Sequence, residues 1–191
     1  MSASDRDRLR ELVTDLAIVR GRVVLSSGQE ADWYVDLRRI TMHHEAAPLA
    51  GRVMLELTAG WAYDAVGGLT LGADPLATAM LHACAADSTR APRQLDAFVV
   101  RKEGKAHGLQ RRIEGPEIAG RQVLAVEDTL TTGGSVLTAV AALREAGADV
   151  VGAAVLVDRG AGDSVSAAEQ AIRAAGLDYR AAFRLADLGL S

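Results

Sequence analysis

Two adjacent carboxylates, Glu127 and Asp128, form the part of this sequence best suited to chemistry. Four apolar residues, Val123 to Val126, precede them, and a hydroxyl- and glycine-rich run, Thr129 to Ser135, follows. Carboxylates accept hydrogen bonds from vicinal sugar hydroxyls, whereas hydroxyl groups and the bare N–H groups of a helix N-terminus bind phosphate. The stretch therefore predicts a site for a ribose 5-phosphate at the end of a buried strand.

Other interpretations of these residues fit the sequence less well. The acid pair alone would also fit an exposed strand end with solvated charges, but the polar, glycine-containing loop directly after it favours a ligand site. A Walker-type phosphate loop is excluded, because the only Gly-Lys pair, at 104–105, is followed by Ala106. The segment 160–165 begins like a dinucleotide fingerprint, but Val165 replaces its third glycine, so a strand-to-helix turn is the simpler interpretation.

A second cluster of charge lies between residues 101 and 112. It contains Arg101, Lys102, Lys105 and His107, and no sustained hydrophobic period runs through residues 103–116. Alone, such a run is typical of a solvated surface loop. Because it follows a predicted strand, as the acid pair does, we expect it to serve the same site.

Apolar periodicity predicts the elements that position these residues. Helices are predicted over 4–20, 48–59, 136–146 and 167–175, with another beginning near Pro75, and Ser135 is the expected N-cap of the third. Strands are predicted over 66–69, 95–100, 123–126 and 150–157, with a last extended edge piece over 179–188. Residues 23–25 and 32–38 suggest a short antiparallel pair outside the main sheet. The alternation indicates an α/β fold: a doubly wound, mainly parallel sheet flanked by helices.

Composition limits the class of protein. The 191 residues suggest a single domain, 1–191, with a small N-terminal hood at about 1–40 and a core from about 41. A net charge of −4 argues against nucleic acid as a partner. One cysteine, no N-terminal apolar run behind basic residues and no membrane-length apolar stretch predict a cytoplasmic protein without a membrane partner.

The remaining candidate residues favour structural roles. His43 and His44 are expected in a surface turn before a helix, since no third metal ligand has fitting spacing. His82 is expected on a helix surface. Cys84 is expected to be a small buried residue and not a nucleophile.

The run from Val123 to Ser135, V-L-A-V-E-D-T-L-T-T-G-G-S, resembles the 5-phosphoribosyl-1-pyrophosphate (PRPP) motif of type I phosphoribosyltransferases. The run from Arg101 to Gly108, R-K-E-G-K-A-H-G, is similar to the mobile basic loop of orotate phosphoribosyltransferases in particular. With Ser27-Gly28, residues 34–38 and Arg159, the resemblance covers nearly the whole chain. It implies the type I phosphoribosyltransferase fold and a transferase that forms orotidine 5′-monophosphate and pyrophosphate from PRPP and orotate, in pyrimidine biosynthesis.

The resemblance also implies roles for individual residues. Ribose hydroxyls would be held by Glu127 and Asp128, the 5-phosphate by Thr129, Leu130, Thr131, Thr132, Gly133, Gly134 and Ser135, the pyrophosphate by Arg101, Lys102, Lys105 and His107, and orotate by Thr131 and Arg159. Lys105, His107 and Asp128 would be the catalytic groups. Mg²⁺ would bind through PRPP and water, near Asp74 or Asp128, without direct protein ligands. The protein would be a homodimer whose basic loop closes over the neighbouring subunit's site.

This chain departs from the family pattern at two places. Ser26 stands where many members carry a lysine, and the loop 71–74 lacks the basic residue that many members have there. Two alternative functions stay open: transfer to another base on the same fold, and a non-catalytic regulator that binds a nucleotide and RNA.

Overall fold

The computed structural model describes residues 3–24, 30–87, 94–103, 112–160 and 165–190. The strands are β1 (Ile18–Val24), β2 (Glu30–Val35), β3 (Ala65–Leu69), β4 (Asp96–Val100), β5 (Ile113–Glu114), β6 (Gln122–Leu130), β7 (Asp149–Asp158) and β8 (Asp178–Arg184). The helices are α1 (Ala3–Leu12), α2 (Arg38–Thr41), α3 (Ala46–Leu57), α4 (Ala73–Ala86), α5 (Gly134–Glu145) and α6 (Ala167–Ala174). A π-helical turn, Val13–Ala17, follows α1, and a 3₁₀ turn, Leu185–Leu188, follows β8.

Six strands form the main sheet, in the order β5-β4-β3-β6-β7-β8. All neighbouring pairs are parallel except β4 with β5, which is antiparallel. This topology confirms the predicted mainly parallel sheet. It places β6 between β3 and β7, so the carboxyl end of β6 lies at the middle of the ligand-binding edge of the sheet.

Helices cover both faces of the sheet, and the side chains of β6 show why. Leu124 and Val126 are buried in the core cluster that contains α1, α3 and α4. Val123 and Ala125 point the other way, into the cluster that contains α5 and α6. Successive residues of a strand face opposite sides, so a strand covered on both faces becomes a continuous apolar run.

The N-terminal residues form a separate two-stranded antiparallel sheet of β1 and β2, which confirms the predicted pair. Its predicted bounds are wrong, because β1 begins at Ile18 and β2 ends at Val35, before α2 begins at Arg38. The predicted helix over 4–20 is wrong at its end, because the helical turns stop at Ala17 and Ile18 begins β1. The β-branched pair Ile18-Val19 suits a strand, and it pairs with Val35 and Tyr34 of β2. This hood brings aromatic side chains of β2 toward the end of β7.

Two predicted boundaries in the main sheet are corrected. The strand expected to stop at Val126 continues as β6 to Leu130, because β7 runs beside it and pairs Glu127 with Val155 and Leu130 with Asp158. The acid pair therefore lies inside the strand. The segment 103–116 was expected to lack regular structure, but its described part contains the two-residue strand β5.

The other elements follow the predictions closely. Helices α3, α4 and α6 and strands β3, β4 and β7 begin and end within two residues of the predicted bounds where bounds were given, and Pro75 lies in the first turn of α4. The last extended piece is the edge strand β8 followed by the 3₁₀ turn. None of the helices in the described part of the chain has the length and apolar character needed to span a bilayer.

Gly51 permits the close packing of α3 on α4. It is buried, and a Cβ atom placed on it would clash with the backbone carbonyl of Ala79. We expect Gly51→Ala to lower the free energy of unfolding by about 1–3 kcal/mol, although alanine is the better helix former, because the two helices would be forced apart. Urea unfolding measures this loss.

Gly60→Ala provides the matched control. The nearest atom to a Cβ on Gly60 is Arg180 Nη2, 3.8 Å away, which is ordinary contact. A stability of Gly51→Ala equal to that of Gly60→Ala would contradict the packing of α3 and α4 described here.

Candidate active site at the carboxyl edge of the sheet

The acid pair lies at the carboxyl end of the central strand β6. Glu127 is only 6% exposed and Asp128 is half-buried. The backbone N–H of Asp128 donates to Glu127 Oε1 at 3.2 Å. Gly72, in the loop after β3, approaches so closely that a Cβ there would lie 2.6 Å from both Asp128 Oδ1 and Glu127 Oε1. The two carboxylates therefore share a narrow, partly desolvated position.

Burial and mutual repulsion raise the pKa of Glu127. Desolvation is the largest cause, the charge of Asp128 the next, and Asp74 adds to it. Burial also raises the pKa of Asp128, while hydrogen bonds and the charge of Arg38 oppose the rise. The pair consequently holds a proton more tightly than free carboxyl groups do, until a ligand supplies donors or positive charge.

The predicted phosphate loop follows the acid pair and leads into α5. Gly133 occupies the N-cap position with φ +81°, a left-handed conformation that favours glycine, and no side chain caps the helix. The prediction that Ser135 is the N-cap is therefore wrong, because Ser135 already lies in the first turn. Thr131, Thr132 and Ser135 are exposed around the start of α5. The N–H of Gly134, the first residue of α5, donates to Thr132 Oγ1 at 3.5 Å. A helix N-terminus of this kind attracts anions.

Leu130 differs from its neighbours in the predicted phosphate site. Its side chain is 1% exposed and belongs to the core beside α5. Its carbonyl oxygen accepts a hydrogen bond from the backbone N–H of Arg159 at 2.8 Å. Any contact of Leu130 with a ligand is thus limited to its backbone, and this backbone joins the ends of β6 and β7.

Arg159 directly follows β7, and its backbone lies beside Leu130 at the end of β6. Its guanidinium carbon lies 5.6 Å from the ring centre of Trp33 and 5.9 Å from that of Tyr34, both on the hood strand β2. Its Nε is buried and has no hydrogen-bond partner among the described residues. Both aromatic rings are therefore within the range of a cation–π contact with the guanidinium.

No sequence pattern indicated a role for Trp33, and Tyr34 was predicted only as part of the segment 34–38 that resembles the family. The available signal was two adjacent aromatic residues in a chain that has two tryptophans and three tyrosines in all. No local pattern showed that the hood would reach Arg159, since that contact depends on the tertiary fold.

The basic segment begins beside a wide depression of about 790 Å³. The depression is lined by Thr70, Leu71, Val99, Arg101, Lys102, Glu103 and Glu114. Arg101 contacts Glu114 at 3.5 Å, and Arg112 donates to the carbonyl oxygens of Arg101 and Lys102 at 3.4 and 3.2 Å. The two ends of the segment are thereby tied together, while Lys105 and His107 lie outside the described residues.

Asp74 lies in the first turn of α4, close enough to the acid pair to affect Glu127. Its Oδ2 accepts from the Thr70 hydroxyl at 2.7 Å, and its Oδ1 is buried without a hydrogen-bond partner among the described residues. The intervening Thr70–Leu71 peptide is cis. Within the described ranges, no three His, Cys, Asp or Glu side chains converge in an arrangement that would hold a metal by themselves.

The surroundings of His43, His82 and Cys84 indicate structural roles and not catalytic ones. His43 Nδ1 accepts from the backbone N–H groups of Glu45 and Ala46 at 3.3 Å, which caps α3. The predicted surface turn before a helix is confirmed. The capping of α3 by His43 was not predicted. His82 is exposed as expected, whereas Cys84 is half-buried, not fully buried.

Glu127→Gln measures how much the buried charge of the acid pair lowers the free energy of unfolding. A raised pKa means that the folded chain keeps a proton that the unfolded chain releases, so stability falls as pH rises from the ordinary carboxyl pKa to the raised one. We expect Glu127→Gln, without ligand, to exceed the wild type in unfolding free energy by at least about 1.4 kcal/mol near pH 8.5 and by almost nothing near pH 4.5, since one pKa unit is worth about 1.4 kcal/mol. Urea unfolding across this pH range measures the difference.

Glu169→Gln serves as the contrasting variant. Glu169 is equally buried but pairs with Arg173 and Arg184, both at 2.9 Å, so its replacement should destabilise the protein near pH 8.5. A Glu127→Gln effect that does not change with pH would contradict the proposed state of the pair.

Comparison with known proteins agrees with this geometry. A family model described as a phosphoribosyl transferase domain matches residues 44–170, which include the acid pair, the phosphate loop and Arg159. An orotate phosphoribosyltransferase of Streptomyces avermitilis is 63% identical over 185 residues, which are 97% of this chain and 97% of that protein. The orotate phosphoribosyltransferase of Mycobacterium tuberculosis H37Rv is 58% identical over 190 residues, covering 100% of this chain and 99% of that protein.

Solved structures show the same likeness. A crystal structure of the M. tuberculosis H37Rv orotate phosphoribosyltransferase in complex with PRPP has a TM-score of 0.81 and 54% identity, and the match covers 97% of this chain and 99% of that one. Another, in complex with Fe(III) dicitrate, has a TM-score of 0.85 and 59% identity, with the same coverage. Sequence and fold agree along nearly the full length, and the chain belongs to the phosphoribosyltransferase family, among the orotate phosphoribosyltransferases.

Proposed function

We propose that the protein transfers the 5-phosphoribosyl group from PRPP to orotate, giving orotidine 5′-monophosphate and pyrophosphate. The observation that carries this proposal is the buried Nε of Arg159, which has no hydrogen-bond partner among the described residues and lies at the end of the strand beside β6. An arginine fork matches a carboxylate group in shape and charge, and orotate carries one. The β6–β7 pairing brings Arg159 to the same edge of the sheet as Glu127 and Asp128, since Asp158, the residue before Arg159, pairs with Leu130.

The ribose 5-phosphate end of PRPP fits the residues of β6 and the start of α5. Glu127 and Asp128 accept from the ribose hydroxyls, which relieves part of the repulsion between the two carboxylates. The phosphate meets the N–H groups at the start of α5 and the hydroxyls of Thr131, Thr132 and Ser135. Thr129, Gly133 and Gly134 contribute backbone groups to the same turn, and Leu130 contributes only its backbone.

The reaction is a displacement at the anomeric carbon with an oxocarbenium-like transition state. Orotate attacks as an anion, so the protein supplies positioning and electrostatic stabilisation and little acid–base chemistry. Asp128 stabilises the ribose as positive charge develops on it. Arg101, Lys102, Lys105 and His107 stabilise the pyrophosphate that leaves.

Mg²⁺ fits the oxygen-rich edge of this site. Asp74 lies close enough to Glu127 to raise its pKa, and Asp74 has a buried carboxylate oxygen with no hydrogen-bond partner among the described residues. Hard divalent cations prefer oxygen ligands. Since too few side chains converge in the described ranges to hold a metal alone, the ion would bind mainly through PRPP and water. It would supply positive charge to the leaving group.

The oligomeric state and compartment are part of the proposal. A homodimer whose basic loop reaches the neighbouring site would supply Lys105 and His107 from the second subunit. The cytoplasm is the proposed compartment, since a chain with one cysteine has no disulfide framework to maintain.

The substrate assignment is tested by following orotate ultraviolet absorbance with PRPP and Mg²⁺. We expect Arg159→Ala to lower kcat/KM for orotate by about 100-fold, while the Kd of PRPP changes less than about twofold, because a buried charged contact to the orotate carboxylate is lost. Arg180→Ala is the control, since Arg180 also stacks on a tryptophan, Trp61, but lies on β8. Consumption of adenine, uracil or xanthine in place of orotate would overturn the base assignment.

Loop sharing is tested by mixing inactive variants. Mixed Lys105→Ala and Asp128→Asn chains should recover about one quarter of wild-type activity, because half of the random dimers are mixed and each mixed dimer has one intact site. Lys105→Ala mixed with His107→Ala is the control, because every loop is then damaged. No recovery in the first mixture would show that each subunit uses its own loop.

A further inference from the structure

A buried polar network lies directly behind Arg159. The Asp158 carboxylate is 1% exposed, and its Oδ2 accepts from the Tyr179 hydroxyl at 2.9 Å and from the Ser166 hydroxyl at 3.4 Å. Its Oδ1 accepts from the backbone N–H of Gly160 at 2.8 Å. Tyr179, on β8, is 5% exposed and supplies the shortest side-chain hydrogen bond to this carboxylate.

The network holds the backbone of Arg159 on both sides. The N–H of Arg159 is bonded to Leu130, and the next residue, Gly160, is bonded to Asp158. Gly160 also packs against Ser166 so tightly that a Cβ on Gly160 would clash with it. Asp158 thus joins the residues before and after Arg159 to the start of α6.

The same network reaches the phosphate loop. Ser166 caps α6 by accepting from the N–H of Glu169 at 3.0 Å, and Glu169 is fixed to Arg184 of β8. A Cβ on Gly133, the N-cap of α5, would lie 3.4 Å from Ala168 O in the first turn of α6. The start of α6 therefore touches the phosphate loop on one side and is tied through Ser166 to Asp158 on the other.

We propose that Tyr179 and Asp158 are positioning residues that set the orientation of Arg159 and, through it, the affinity for orotate. This inference rests on the proposed function, in which Arg159 binds the orotate carboxylate. Without the Tyr179 hydroxyl, the buried Asp158 carboxylate loses its best donor and must turn toward other groups, and the backbone on either side of Arg159 turns with it. Trp33 and Tyr34 stay in place, so the guanidinium loses its aligned position between the rings and the ligand.

The test compares Tyr179→Phe with Tyr63→Phe. Tyr63 is equally buried, and its hydroxyl is hydrogen-bonded to Thr58 at 2.6 Å, but it lies before β3, at the opposite edge of the sheet. We expect Tyr179→Phe to raise KM for orotate roughly five- to tenfold, with KM for PRPP within about twofold of wild type, because weaker hydrogen bonding to a positioned charge costs affinity in one subsite. Tyr63→Phe should leave both KM values unchanged while costing similar stability.

A second readout does not depend on activity. The chain has two tryptophans, so in a Trp61→Phe background the emission comes from Trp33, which lies against Arg159. Adding Tyr179→Phe should shift this emission in the absence of substrates, and adding Tyr63→Phe should not. If Tyr179→Phe changes neither the emission nor the orotate KM relative to Tyr63→Phe, the positioning role is wrong. If wild-type protein does not consume orotate, the proposed function fails, and an emission shift would still show that Tyr179 positions Arg159.

Discussion

The repulsion between two buried carboxylates, Glu127 and Asp128, is the constraint on which the rest of the site depends. A strand end that holds both acids is unfavourable unless neighbouring groups or a ligand compensate. The protein partly compensates with backbone hydrogen bonds and with the charge of Arg38, and it accepts a raised pKa for the remainder. In the proposed function, ribose hydroxyls and a cation would compensate the remaining repulsion between the two carboxylates, and the site would favour a ribose ligand for that reason.

The order of the parallel strands explains how the acid pair, Arg159 and the basic residues Arg101 and Lys102 all lie at one edge of the sheet. Central strand β6 carries the acids and leads into the phosphate loop, and β7 beside it leads to Arg159. On the other side of β6, beyond β3, strand β4 leads to Arg101 and Lys102. Negative charge is therefore concentrated at the middle of the edge, and positive charge lies toward both sides. A ligand with a neutral sugar between anionic ends, such as PRPP or a nucleotide, matches this distribution.

Much of this arrangement could be predicted from the sequence, because apolar runs of strand length and their polar ends are local signals. The acid pair and the polar loop after it were found in this way, whereas the role of Arg159 was predicted only from the resemblance to a known family. The extension of β6 through the acids could not be found, since it depends on pairing with Val155 and Asp158 of β7. Ser135 has the side chain of a good cap, but the left-handed turn at Gly133 starts the helix earlier. The contact of Trp33 with Arg159 depends on how the hood packs, which no local pattern records.

The central claim is that binding of the ribose group releases a proton held by the acid pair. Proton release can be measured by titrating the protein with PRPP and Mg²⁺ in a calorimeter at about pH 7, in two buffers of different ionisation enthalpy. Hydroxyl donors and a cation favour the charged carboxylates, so binding should release a proton from wild-type protein, and Glu127→Gln should release less. Equal proton release by wild type and Glu127→Gln would contradict the account, because the pair would then already be ionised in the free protein.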